Sequence, residues 1–182
     1  RKIARTAFFC RHQPGGIYVI DDISEHPGAV WFVSSVTGTD GAGYGRSPDS
    51  PLATIDYAIN LCTANKGDVI YVMPGHVENV GATSIICDVA GVSIIGLGTG
   101  AQRPTLTLNA TASNIAISAN SFTIKNVRFT CSIDEVVSLF LVTGTDVTLD
   151  AVDYFETASS QLIQFLLTTS AAARLIVKNC HH

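Results

Sequence analysis

Three acidic side chains near the C-terminal end of the chain have the residue types and spacing that come nearest to a catalytic group. Asp150, Asp153 and Glu156 follow one another at three-residue intervals in VTLDAVDYFE. Glycoside hydrolysis needs two carboxyl groups about 5 to 10 Å apart on one exposed face. If the chain is an enzyme, these are its candidate catalytic residues, although a predicted bend separates Asp150 from Asp153.

A recurring phrase predicts the elements that position these acids. Segments that begin at Val92, Phe122, Val147 and Leu175 each have two alternating apolar residues, a small or polar residue at the fifth position, and another apolar residue. A related run begins at Val69. Internal periods of about 20 to 50 residues indicate solenoids, propellers or arrays. We therefore predict an all-β solenoid, a right-handed parallel β-helix. A β-sandwich, with strands every 8 to 12 residues or so, is the structural alternative.

Stacking of the coils gives the acids a structural interpretation. Equivalent positions in successive coils lie about 4.8 Å apart and form columns. The alignment places Lys125, Asp150 and Lys178 in one outward column, and Arg128 beside Asp153 in the next. Alternating charge along a column is the cross-strand pairing expected of structure, so we assign no catalytic residue. The bend that follows each phrase is predicted to be left-handed at Gly96, Asn126, Ala151 and Asn179.

The chain before the repeats predicts a strand, a loop and one capping helix. HPGAVWFVSSV, residues 26–36, is a strand, and the Gly- and Pro-rich stretch 37–51 is a surface loop. Ile55, Ala58, Ile59 and Cys62 form one apolar helical face, which predicts an α-helix over about 52–65. We divide the chain into a loose lead segment, 1–29, and a β-helix with its capping helix, 30–182. His76 is predicted to lie in a surface turn.

The first dozen residues carry Arg1, Lys2, Arg5 and Arg11 and no acid. A basic segment attached to an acidic body predicts an arm that binds a partner. Only 14% of the chain is charged, against roughly 25% in an ordinary soluble domain. This low charge predicts that part of the outer surface is buried in an oligomer.

Several classes of partner and site are not expected. No apolar run reaches the roughly 18 residues that a membrane span needs. Basic residues interleaved with aromatic ones do not occur after the first dozen residues, so no nucleic-acid partner is expected. The five cysteines have no CxxC or Cys/His ligand spacing, and we predict free, buried thiols with no metal and no cofactor.

A family resemblance covers most of the chain after residue 30. WFVSSVTGTDGAGYG, SPLATIDYAINLC and GDVIYVMPG, between Trp31 and His76, resemble the first segment of pectate-lyase-like right-handed β-helix proteins. That fold is used by lyases, hydrolases and non-catalytic virion proteins. The loop GLGTGAQRPTLTL and the Thr- and Ala-rich coils after it resemble the bacteriophage members, which are commonly homotrimeric tailspikes, fibres or capsid-decorating proteins.

The motifs of the enzymes in this group are missing from the predicted coils. Asn-Thr-Asp, Gly-His-Gly and Arg-x-Lys do not occur there, and the Asp pair Asp21–Asp22 lies in the lead segment. No acid cluster that would bind Ca²⁺, as in pectate lyases, lies beside Lys125 or Arg128. The resemblance therefore does not carry pectinolytic activity over to this chain.

These observations together predict a non-enzymatic structural protein of a bacteriophage virion, assembled in the host cytoplasm. It would be a homotrimer that decorates or stabilises a capsid, or forms a spike, with its N-terminal arm bound to the capsid or another virion protein. One alternative is a tailspike that depolymerises polysaccharide as a hydrolase or lyase. The other is a non-catalytic module that binds a host surface glycan through exposed aromatic residues such as Tyr44, Tyr154 and Phe155.

Overall fold

A computed structural model describes residues 9–13, 16–20, 28–156 and 159–181, the first two ranges by their backbone alone. The two short ranges are strands β1 (Phe9–Gln13) and β2 (Gly16–Ile20), which pair antiparallel. The sequence predicts no strand before residue 26, so this hairpin corrects the description of the lead as loose. In the sequence, Pro14 and Gly15 between the two strands and Gly16 at the start of β2 are typical turn residues, and with the apolar residues on either side they indicate a hairpin.

The capping helix is shorter than predicted. Strand β3 (Val30–Val33) precedes it, and α1 spans Ile55–Asn60 rather than 52–65. Leu52 is not helical because its backbone pairs with that of β3 in an extended bridge. Thr54 begins the helix by accepting a hydrogen bond from the Tyr57 amide. The helix buries Ile55, Ala58 and Ile59 against the core.

Four coils of three strands follow the helix. The first contains β4 (Val69–Val72), β5 (Val77–Val80) and β6 (Ile85–Cys87), and the second β7 (Ser93–Gly96), β8 (Thr105–Leu108) and β9 (Ile115–Ile117). The third contains β10 (Thr123–Lys125), β11 (Arg128–Cys131) and β12 (Phe140–Val142). The fourth contains β13 (Thr148–Asp150), β14 (Asp153–Phe155) and β15 (Leu166–Thr168), and β16 (Ile176–Lys178) starts another coil.

The strands of successive coils stack into three parallel sheets. The first sheet has the order β16-β13-β10-β7-β4-β3, the second β14-β11-β8-β5, and the third β15-β12-β9-β6. The described part of the protein is therefore an all-β parallel solenoid with one short α-helix and a 3₁₀ helix at Gly100–Gln102, and the predicted fold class is confirmed. Within the described residues, no helix is long and apolar enough to cross a membrane.

The register of the first sheet confirms the repeat from residue 92 onward. Ser93, Thr123, Thr148 and Ile176 are aligned across β7, β10, β13 and β16. The predicted start at Val69 is wrong by one residue, because Val69 aligns with Ser93 rather than with Val92.

Asp68 takes the place of the expected apolar residue at the start of the first coil. It is 2% exposed, and its carboxylate accepts hydrogen bonds from the amides of Ala29 (2.6 Å) and Thr63 (2.7 Å). This carboxylate joins the approach to β3 and the chain after α1 to the first coil. An alignment based on apolar residues does not recognise an aspartate at this position, so it starts the first repeat one residue too late, at Val69.

Inward columns form one continuous apolar core. Val92, Phe122 and Val147 are fully buried, and Ile94, Ile124 and Leu149 form the next column. Val177, in the same column on β16, is 44% exposed because no described strand stacks beyond it.

The predicted left-handed bends are found at three of the four predicted positions. Asn126, Ala151 and Asn179 have φ of 57°, 53° and 54°. Gly96 is not left-handed, and that prediction is wrong. A Cβ at Gly96 would overlap the Asn126 carbonyl oxygen, so the glycine is needed for close stacking of the coils.

Candidate functional site

The lysine and aspartate ladder lies on the outer face of the first sheet, as predicted. Asp150 is aligned with Lys125 on β10 and with Lys178 on β16. Its carboxylate lies 3.9 Å from the Lys125 ammonium and 3.6 Å from that of Lys178. Asn179 donates a hydrogen bond to the same carboxylate at 2.8 Å. Because β16 continues the sheet, the acid lies between basic residues of both neighbouring coils.

This environment keeps Asp150 ionised. The hydrogen bond from Asn179 and the charges of Lys178 and Lys125 lower the pKa of its carboxyl group below the ordinary value. A general acid needs the opposite shift, toward the operating pH. Asp150 is therefore suited to hold the coils together rather than to donate a proton.

Asp153 lies beside Arg128 in the second sheet, as the alignment predicts, but its ion pair is with another residue. Arg128 and Asp153 are aligned across β11 and β14. The carboxylate of Asp153 pairs with Arg103, which also donates to the Ala151 carbonyl. The expected pairing with Arg128 is thus replaced by one from a loop two coils earlier in the chain.

Arg128 has other contacts. Its guanidinium donates to the Gly100 carbonyl at 3.1 Å and lies 5.0 Å from the centre of the Phe155 ring. Both Arg103 and Gly100 belong to the stretch between β7 and β8, residues 97–104. This stretch therefore crosses the surface of the third and fourth coils, where it is fixed by the two arginines.

Glu156 lies just past the end of β14 and accepts a hydrogen bond from the Leu162 amide at 3.1 Å. With Leu162, Ile163, Gln164 and Phe165 it lines a shallow, open depression. The bend at Ala151 puts Asp150 on the first sheet and Asp153 on the second. The structure thus separates Asp150 from the other two candidate acids and gives each of the three a structural partner.

The aromatic residues proposed for glycan binding do not share one exposed surface. Tyr154 points into the core and is 2% exposed, so the prediction that it is exposed is wrong. Two consecutive residues of a strand face opposite sides, and its neighbour Phe155 is 52% exposed. Tyr44 is partly exposed but lies in the loop after β3, at the other end of the solenoid.

His76 is fully buried, in contrast to its predicted place in a surface turn. The Ser35 amide donates to its Nδ1 at 2.9 Å, so its Nε2 carries the proton and donates to Glu78 at 3.0 Å. The Glu78 carboxylate also accepts from the Ile55 amide at the start of α1. These contacts join β3, the helix and the first coil, and they leave the imidazole no route to a substrate. Asp68 and Glu78, both missed from sequence, act as structural acids.

The remaining candidates are placed as follows. Arg1, Lys2 and Arg5 lie outside the described residues, and Arg11 lies in β1 with its side chain outside the description.

Within the described ranges no group of three His, Cys, Asp or Glu side chains forms a metal site. Cys62, Cys87, Cys131 and Cys180 are free thiols. Burial raises the pKa of the Cys62 thiol to about 12, which makes it a poor nucleophile at neutral pH.

Comparison with known proteins supports the fold. The chain is similar to the solved structure of a rhamnogalacturonan lyase, with a TM-score of 0.50 and 12% identity. The match covers 84% of this chain and 51% of the lyase, so the chain spans about half the length of that protein. No protein-family model matches the chain, and no curated protein does. At this identity the likeness is one of fold, and it agrees with the pectate-lyase-like β-helix expected from the sequence.

Proposed function

We propose that the chain is a non-enzymatic structural protein of a bacteriophage virion, a homotrimer that decorates or stabilises the capsid or forms a spike. The solenoid is the rigid body of this protein. The N-terminal segment, with Arg1, Lys2, Arg5 and Arg11, binds an acidic surface on the capsid or on another virion protein.

The observation that carries this proposal is the engagement of the outward acids in structural contacts. Asp150 is held by two lysines and Asn179, Asp153 by Arg103, and Glu156 by the Leu162 amide. A catalytic carboxyl group must be able to reach the substrate and exchange a proton with it. Carboxylates that link coils instead serve the rigidity that a stalk or a capsid-bound knob requires.

The arm is tested by binding of the purified protein to particles of the encoding phage that have been stripped of their outer proteins. A variant in which Arg1, Lys2, Arg5 and Arg11 are all replaced by Gln removes the charge but keeps strand β1, which deletion of residues 1–12 would destroy. We expect at least a tenfold loss of affinity at low salt and a smaller loss at high salt, because salt screens the attraction. Lys66→Gln, at an exposed turn, is the control and should bind as the wild type does. If the arm variant binds the particles as tightly as the wild type does, the proposal that the arm binds the virion is refuted.

A tailspike depolymerase is the second candidate. It is favoured by the fold shared with a polysaccharide lyase and by the two acids, Asp153 and Glu156, that flank Tyr154 and the exposed Phe155 in the chain. It predicts that the protein releases oligosaccharides from the surface polysaccharide of the host. Cleavage that is abolished by Asp153→Asn would establish the enzyme and remove the structural proposal. Binding of the same polysaccharide without cleavage, lost in Phe155→Ala, would instead indicate the glycan-binding module.

A further inference from the structure

The outer face of the third sheet carries an unbroken apolar column. Ile86, Ala116, Leu141 and Leu167 are aligned across β6, β9, β12 and β15, one residue from each coil. Their neighbours in β6, β9 and β12 point into the core, whereas in β15 Leu166 is partly buried and Thr168 is exposed. Ile86 is 41% exposed, and the other three are partly exposed. We call this column the apolar face.

The apolar face differs from the other two faces in charge. No residue of β6, β9, β12 or β15, all of which the structure describes, is charged. The first sheet displays Lys125 and Asp150, and the second displays Arg128 and Asp153. In the third and fourth coils the charged side chains of the strands therefore lie on the first two sheets, and the third sheet has none.

Two further apolar side chains extend the face at the corner that leads into it. Val137 is 48% exposed and Ile163 is 65% exposed. They follow Val136 and Leu162, which form a parallel bridge between the third and fourth coils. At this corner the third and fourth coils therefore each carry one exposed aliphatic side chain.

We propose that the apolar face and this corner are the surface through which copies of the chain associate side by side, with their coils parallel. The inference rests on the homotrimer of the proposed function and names the surface that forms it. Charge matching favours a second copy, because an uncharged face is best covered by an uncharged one. A charged partner would lose its hydration without gaining an ion pair.

The spacing of the coils also favours a second copy. Apolar side chains recur on the face about every 4.8 Å, the distance between stacked strands. A second solenoid presents its side chains at the same interval, so the two rows can interdigitate coil by coil. Contacts between the face of one copy and the corner of the next close a ring about an axis parallel to the solenoid axis.

Association is measured by sedimentation equilibrium of the whole chain, from micromolar to millimolar concentration. Four strands make a face only about 15 Å long. The area that this face buries should therefore be well below the roughly 800 Å² per partner of a standard interface, and we expect dissociation within this range. Leu141→Lys, at the centre of the face, should raise the dissociation constant at least 100-fold, because the charge would be buried without a partner. Thr123→Lys, at the centre of the first sheet, should leave it unchanged.

Circular dichroism and the melting temperature show whether each variant is folded. Ile86→Lys, at a more exposed position, replaces Leu141→Lys if the latter does not fold, and it should weaken association in the same direction. A wild type that is monomeric up to millimolar concentration, or a lysine variant that associates as the wild type does, would overturn the proposed surface. If the protein is a monomer but still binds particles through its arm, the proposed association surface is wrong and the proposed binding to the virion stands. If the protein associates but does not bind particles, the proposed virion role is wrong and the association surface stands.

Discussion

At the scale of single residues, Asp150 links three coils through its charge, and this makes the stability of the solenoid depend on pH. The pKa of its carboxyl group is lowered in the folded state, chiefly by the Asn179 hydrogen bond and then by the two lysines. A lowered folded pKa contributes stability that is present above the unfolded pKa, about 3.9. That contribution is lost as the pH falls through the folded pKa.

Asp150→Asn is therefore expected to lower the melting temperature at pH 7 and to have a progressively smaller effect below pH 4. The asparagine keeps an oxygen that can accept from Asn179 but leaves Lys125 and Lys178 without an opposite charge. Melting temperatures of wild type and variant between pH 2 and 7 measure the difference. Asp88→Asn, at an exposed position, is the control. A difference that stays constant over this range would mean that the charge of Asp150 does not contribute to stability.

At the scale of elements, the strands that obey the repeat could be predicted, and the segments that interrupt it could not. Alternation along β13 and β14 is enough to align Asp150 with its lysines, because a slip of one residue would turn Leu149 outward. The same alternation contradicts the placing of both Tyr154 and Phe155 on the surface. The burial of His76 depends on Ser35 and Glu78, which no local pattern connects.

The position of Arg103 shows why part of the candidate site lay beyond prediction. The arginine lies 50 residues before Asp153, in a stretch between β7 and β8 that has no counterpart of the same length after β10 or β13. Its turn residues predict a loop, but they do not predict the direction that the loop takes. The ion pair and the contact of Arg128 with Gly100 help to hold that direction. The side-chain amide of Asn126 also contributes, since it donates to the Gly98 carbonyl.

Arg103→Ala is expected to release this loop and to destabilise the chain by about 1.5 to 3 kcal/mol, the usual range for hydrogen bonds to a charged group. Asp153 loses its ion pair, and the Ala151 carbonyl loses a donor. Urea unfolding measures the stability, and hydrogen exchange of the amides of residues 97–103 measures how firmly the loop is held. Lys66→Ala is the surface control. Unchanged exchange in the loop would mean that other contacts hold it.

At the scale of the whole molecule, the three faces of the solenoid have different roles although one repeat generates them all. The first face carries the charges that pair successive coils. The second carries Arg128 and Asp153, which contact the loop 97–104, and the third carries aliphatic side chains in the same register. A rigid body with one uncharged side suits side-by-side assembly, and basic residues before the body suit attachment. These two properties connect the chemistry of the side chains to the proposed role in a virion.

The core is expected to lose stability coil by coil rather than uniformly, because each coil of a solenoid contacts only its neighbours. Phe140, fully buried in the third coil, lies 5.3 Å from the ring of Phe129 and 5.5 Å from that of Phe165 in the fourth. Phe140→Ala should cost about 3 to 5 kcal/mol. It should speed hydrogen exchange in β11 to β16 much more than in β4 to β6.

Ile70→Ala, buried in the first coil, is the matched control and should speed exchange mainly in β3 to β7. Native-state exchange followed strand by strand separates the two patterns. Equal acceleration of every strand in both variants would show that the coils unfold as one unit, because the continuous core couples them more strongly than the stacking of neighbours does.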